Sequence, residues 1–276
     1  MSVRIKNTFE KLNEKNKSAF ISFIAAGDPS FETSLEVLKL LPQSGVDIIE
    51  LGIPFSDSMA DGAIIQQASQ RALKQGITPA HVFDMVKEFR KGNDHTPIIL
   101  MGYYNPILAM GLKNFAEKAK EAGVDGALVV DLPPEEADEL KTELDSNDID
   151  LIFLMAPTTN DKRLKTILKK AKGFLYYVAI TGVTGTKLAK DDEVKFAIDI
   201  IKKKTELPIV TGFGIKTPEM AGRIAKIADG VVVGTAIVEK IDAEVQNHDN
   251  HQKVIDNALA FVSELANSVK NNDNPK

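Results

Sequence analysis

Cysteine is absent from the 276 residues. Its absence excludes disulfides, thiolate zinc sites and cysteine nucleophiles, and it fits a reducing compartment. An excess of basic charge is missing too. The formal net charge is −5, whereas a nucleic-acid footprint would show clustered Lys and Arg on a basic background. The lysine run 202–204 therefore reads as a solvated helix face. No apolar run is long enough for a membrane span, which needs roughly 20 residues. The longest uncharged stretch, 96–112, is interrupted by Gly102, Asn105 and Pro106, and reads as a strand, a loop and the start of a helix. The N-terminal segment, with Arg4, Lys6, Glu10 and Lys11, lacks the apolar centre of a signal peptide, so a cytoplasmic location is expected. Neither an interdomain linker nor a low-complexity tract is present.

What the chain does contain is a recurring alternation. Short runs rich in Ile, Val and Leu at 20–24, 47–51, 97–101, 126–130, 151–154, 174–178, 208–210 and 230–233 are separated by amphipathic stretches. They lack strict polar alternation, as parallel strands covered on both faces do. Thr78-Pro79, Pro133-Pro134-Glu135-Glu136 and Thr217-Pro218-Glu219 place proline or acid where helices begin. Eight βα repeats predict a (β/α)₈ TIM barrel, a fold of about 250 residues. Two segments lie outside the repeat. A charged amphipathic helix over 3–15 is expected to close the bottom of the barrel. An apolar stripe of Val254, Ala258, Phe261, Val262, Leu265 and Val269 marks a C-terminal helix packed on the outside. One domain over 1–270 with a disordered tail at 271–276 follows.

In such a barrel, function belongs to the C-terminal ends of the strands. Glu50 ends the second, Tyr103 and Tyr104 follow the third, and Asp131 follows the fourth. "TGVTGTK" (181–187), "TGFGIKTPE" (211–219) and "VVVGTAIV" (231–238) follow the last three. Glycine turns ahead of helices let backbone amides approach an anion, so a phosphate held by main-chain groups is expected there. A dinucleotide fold is disfavoured, since no Gly-x-Gly-x-x-Gly follows the first strand. Glu50 stands among Ile49 and Leu51 with no cation up to residue 62. It is either a buried ion-paired acid or, with its pKa raised by desolvation, a proton donor and acceptor. Asp61, in an Asp-Gly pair, is either a turn residue or a ligand.

"IELGIPFSDSMADG" (49–62), "LMGYYNP" (100–106), "TGVTGT" (181–186), "GFGI" (212–215) and "VVVGTAIV" (231–238), in that order, resemble the motifs of the tryptophan synthase alpha chain family, and the likeness extends from about Phe9 to Phe261. The resemblance implies a barrel that cleaves indole-3-glycerol phosphate to indole and glyceraldehyde 3-phosphate. It needs no metal or organic cofactor. Indole passes to a beta chain, in an α₂β₂ heterotetramer, that joins it to serine. It further implies Glu50 as general acid/base and Asp61 as the ligand of the indole nitrogen. Phe23, Tyr103, Leu128, Leu154, Tyr176 and Phe213 would line the indole site, and Thr184 would meet Asp61 on closure. Gly185, Gly214, Gly234 and Thr235 would hold the phosphate.

Ser58 and Ala63 depart from this pattern, standing where the family often has proline; a more flexible loop is expected, because proline restricts the open ensemble. His248 and His251 are spaced like a metal pair, but two ligands without further context do not make a site. Two rivals share some of the features. A sugar-phosphate isomerase or epimerase would add a Lys, His or metal-binding acid at strand ends. A non-catalytic regulatory barrel would tolerate loss of the matched acids and glycines, which are intact.

Overall fold

The computed structural model describes residues 1–181, 187–188, 190–212, 214–247 and 250–272. Its strands are β1 (Ala19–Ala25), β2 (Ile48–Gly52), β3 (Ile98–Gly102), β4 (Gly126–Val129), β5 (Asp150–Met155), β6 (Leu175–Val178), β7 (Ile180–Thr181), β8 (Lys187–Leu188), β9 (Ile209–Gly212) and β10 (Gly230–Val233). Eight of them close a parallel barrel in the order β1-β10-β9-β6-β5-β4-β3-β2, while β7 and β8 pair antiparallel outside it. All eight expected strands are present, the ends of none displaced by more than two residues; the β7–β8 pair is an addition.

The helices are α1 (Val3–Asn13), α2 (Phe31–Leu40), α3 (Ala63–Lys74), α4 (Pro79–Arg90), α5 (Tyr104–Met110), α6 (Leu112–Ala122), α7 (Asp138–Ser146), α8 (Asp161–Lys170), α9 (Asp191–Lys202), α10 (Pro218–Ala225), α11 (Thr235–Gln246) and α12 (His251–Lys270). Thr78 and Thr217 stand at the N-caps of α4 and α10, each followed by proline, as expected. The Thr217 side chain accepts from the Met220 amide. Thr217→Ala should therefore cost about 1 kcal/mol of stability, read as a lower urea midpoint at unchanged slope. The third expected start is corrected: 133–136 form a turn, in which the Glu136 amide donates to the Pro133 carbonyl (3.0 Å), and α7 begins only at Asp138. Pro134 occupies the second position of that turn, where its fixed φ fits.

Alternation along the strands separates two cores. Outward residues such as Phe20, Ile49, Leu51, Ile98 and Leu100 pack against the helices. Inward residues Ile21, Ile48, Ile99, Leu128, Ile152, Tyr176, Val210 and Val232 fill the barrel, and Ile5 and Phe9 of α1 join them. α1 thus plugs the N-terminal end, with the Phe9 and Phe174 rings 5.7 Å apart. α12 lies outside, burying Val254, Ala258, Val262, Leu265 and Val269; Phe261 is only half-buried, under the Lys240 ammonium. Asn271 and Asn272 still bond to this helix, and the remainder of the expected tail, 273–276, lies outside the described residues.

A repeated device binds strands together at the bottom. Asp47, Asp125 and Asp229 each precede a strand, and their carboxylates accept the amides of Phe20, Ile98 and Ile209 on the preceding barrel strand at 2.8, 2.9 and 2.9 Å. A cation from a helix covers each: Lys270 at 3.0 Å, Arg90 at 2.7 Å and Lys202 at 2.9 Å. Lys202 is therefore a structural partner rather than part of a wholly solvated face, and Lys204 pairs with Asp161 at 2.7 Å.

Candidate active site

Parallel register places Glu50 of β2 between Phe23 of β1 and Ile99 of β3, with its side chain directed into the barrel. The residue is 1% exposed, and its Oε1 has no hydrogen-bond partner among the described residues. Burial pushes the carboxyl up to about 8 from 4.5, and no cation among the described residues opposes it. Of the two readings of Glu50, the ion-paired one finds no partner among the described residues. A buried acid left unpaired costs stability, so its neutral form is favoured at rest.

Tyr176, from β6, lies near it. Burial, and then the field of Glu50, hold its hydroxyl well above the usual phenol range, so it stays a neutral donor. Leu128 is sealed inside the barrel and Leu154 borders the same cluster, half-buried.

The loop after β2 carries Asp61. Burial raises this carboxyl, and a hydrogen bond from the Tyr103 hydroxyl opposes the rise. The same hydroxyl accepts the Ala60 amide at 3.0 Å, and the Phe55 and Tyr103 rings lie 5.4 Å apart. From α3, Gln66 donates to the carbonyls of Ser58 (3.3 Å) and Asp61 (2.9 Å), and Gln70 to that of Ser56 (3.4 Å). Tyr103 and two glutamines thus hold the loop in the absence of the usual prolines; Ser58 is buried, while Met59 beside it is 82% exposed. Phe23, Gly52, Asp61, Ile65, Met101 and Tyr103 surround a cavity of about 10 Å³, room for a single water.

Phe23, which lines this cavity, also borders the turn of Gly234. Gly234 caps α11, and Thr235 is its first residue. The amides of Gly234, Thr235 and Ala236 donate to no described residue and sit at the positive end of the helix. Gly214 has φ +65°, a left-handed conformation that favours glycine. A Cβ on Gly52 would lie 2.7 Å from the Phe23 ring, and one on Gly234 3.1 Å from Phe23 Cβ, so these glycines make room for Phe23 across the mouth. Thr184, Gly185 and Phe213 lie outside the described residues.

Asp131 accepts the Tyr104 amide at 2.8 Å and so caps α5. His251 is engaged in the fold, with Nδ1 2.7 Å from Thr33 Oγ1 and Nε2 2.8 Å from Glu36 Oε2; His248 is not among the described residues. Two wider concavities, about 870 and 1150 Å³, flank α1 at the opposite end. Conserving stability is the usual task of that end, and the unpaired carboxyl is not there.

No described helix is long and apolar enough to cross a membrane. The model of the tryptophan synthase alpha chain family matches residues 9–270. The tryptophan synthase alpha chain of Caulobacter vibrioides (strain NA1000 / CB15N) is 48% identical over 267 residues, covering 97% of this chain and 96% of its own. Among solved structures, tryptophan synthase subunit alpha from Legionella pneumophila str. Paris superposes with a TM-score of 0.89 at 40% identity, over 98% of both chains. A chain of Mycobacterium tuberculosis tryptophan synthase gives 0.86 at 29% identity, over 98% of this chain and 99% of the other. Sequence, fold and the placement of an unpaired acid at the barrel mouth agree, and this chain belongs to the tryptophan synthase alpha chain family.

Proposed function

We propose that Glu50 and Asp61 carry out the family's cleavage of indole-3-glycerol phosphate, a carbon–carbon lyase reaction. The observation that carries this reading is Glu50: a carboxyl sealed in the barrel mouth, unpaired and held largely neutral at pH 7. Neutral Glu50 gives its proton to C3 of the indole, forming an indolenine. The resulting carboxylate then takes the proton of the side-chain hydroxyl next to C3. As that O–H opens to the aldehyde, the C–C bond breaks and its electron pair returns to the ring nitrogen, releasing indole and glyceraldehyde 3-phosphate. The proton count closes, and Glu50 ends as it began. Asp61 stabilises the positive charge that builds at the ring nitrogen in between. The amides of Gly234 and Thr235, with the turns at Gly185 and Gly214, hold the phosphate. Phe23, Tyr103, Leu128, Leu154, Tyr176 and Phe213 enclose the ring, and Thr184 meets Asp61 on closure.

A cavity of about 10 Å³ does not admit an indole, so the loop of Asp61 must shift when substrate enters. The same loop presents Met59 to solvent and is the natural contact for a beta chain, in an α₂β₂ assembly in the cytoplasm that takes up the indole. Neither rival is favoured: no Lys or His ends any of the eight described barrel strands, and the matched acids are intact.

Indole release by the isolated chain should be low and should rise substantially with a beta chain; no rise would refute the partnership. The Ser58 amide donates to no described residue, so Ser58→Pro removes no amide hydrogen bond among the described residues. By restricting the open loop it should raise isolated activity about two- to fivefold and shrink the partner's effect correspondingly. Unchanged activation in this variant would sink the loop argument.

A further inference from the structure

One ion cluster outside the reacting groups joins the loop after β1 to helices α3 and α11. α3 begins two residues after Asp61, and α11 begins in the turn of Gly234 and Thr235. About two helical turns further along each stand Arg71 and Asp242. Arg71 Nε and Nη2 donate to Asp28 Oδ1 and Oδ2 at 2.7 and 3.0 Å, and its Nη1 donates to Asp242 Oδ1. Asp28 belongs to the loop after β1, the strand that carries Phe23. One turn nearer the site, Ala68 of α3 and Val238 of α11 pack in one cluster with Phe23, Ile64 and Ile65. The two helices therefore meet twice, through an apolar contact under the site and through the guanidinium below it. The Arg71 and Asp242 side chains are mostly buried and that of Asp28 almost wholly so, which makes this more than a screened surface pair.

We propose that Arg71 is a positioning residue that fixes the separation between Asp61 and the phosphate turn, so that anchoring the phosphate aligns the indole ring for protonation. The inference rests on the assignment of Asp61 and of Gly234 and Thr235 to the two ends of the substrate. A molecule held at both ends by the starts of two different helices is aligned only as well as those helices are, and a misplacement of about 1 Å can cost about a hundredfold in rate. The planar fork of arginine binds two carboxylates in fixed directions, which a lysine ammonium cannot do.

The test measures kcat and KM for Arg71→Met, Arg71→Lys and Asp242→Asn with indole-3-glycerol phosphate and with its dephosphorylated form, on enzyme shown to be folded by its thermal transition. Arg71→Met should lower kcat on the phosphate substrate about tenfold or more. Its turnover of the dephosphorylated form, which no longer spans both ends, should change less than about twofold. Arg71→Lys should fall between. Asp242→Asn keeps the Asp28–Arg71 pair and should show the same selective loss, which keeps the proposal testable if Arg71→Met does not fold. Equal losses on both substrates, or unchanged kcat on the phosphate substrate in the Lys and Asn variants, would overturn it. If the wild type cleaves both substrates equally well, the failure lies with the phosphate assignment underneath.

Discussion

Glu50→Gln should stop indole release while making the folded chain more stable at alkaline pH. The amide keeps the volume of the acid but can neither give nor take the proton, and the general acid/base contribution is about 10²- to 10⁴-fold. The stability change has a definite sign. The folded carboxyl titrates near 8 against 4.5 for the free group. Its contribution is therefore fully present below pH 4.5 and is lost as the pH rises through 8. The full loss is on the order of 5 kcal/mol at 1.36 kcal/mol per unit. Urea unfolding of wild type and Glu50→Gln across this range should show the two diverging from pH 4.5 and running parallel above 8. In wild type, kcat/KM should also decline above pH 8, because the resting proton donor is then lost. A variant turning over near the wild-type rate would remove Glu50 from the mechanism; parallel stability profiles would mean that water reaches the carboxyl.

The second large effect concerns the phosphate. Substrate lacking it should be cleaved with kcat/KM about a hundredfold lower or worse, since each hydrogen bond to a charged group contributes about 1.5–3 kcal/mol and several are lost together. Gly214→Val and Gly234→Val should raise KM for the phosphate substrate far more than for the dephosphorylated one. At Gly214, with φ +65°, a side chain forces the turn out of the left-handed region. At Gly234 the added Cβ would lie 3.1 Å from Phe23 Cβ and push the capped end of α11 away from the anion. Steady-state kinetics with both substrates decides the matter: equal cleavage of the two by wild type would mean that these turns do not bind phosphate.

The barrel was legible in the sequence because strands buried on both faces must be apolar throughout, and eight such runs with helices between them leave few other closures. Glu50 stood out for the converse reason, being an acid where only apolar residues belong. Other parts were not legible, for physical causes that can be named. Asp47, Asp125 and Asp229 look like ordinary loop aspartates, because the amides they accept belong to strands 20 to 27 positions away. Arg71 sits in an amphipathic helix, where a cation reads as a solvated face until α11 is placed beside it. Pro133 and Pro134 suit a helix start and a turn equally well, and the turn won. The strands β7 and β8, two residues each, are too short to show any period.

The bottom aspartates also bear on where the chain could be reopened. Each joins one barrel strand to its successor, β1 to β2, β3 to β4 and β9 to β10, and none joins β2 to β3 or β4 to β5. The barrel is thus stapled in doublets. Circular permutation with new ends between doublets, after β2 or after β4, would leave every staple within a continuous stretch of chain. Ends placed inside a doublet would turn one of these aspartates into a contact between two separated pieces, one that has to be found again each time the protein folds.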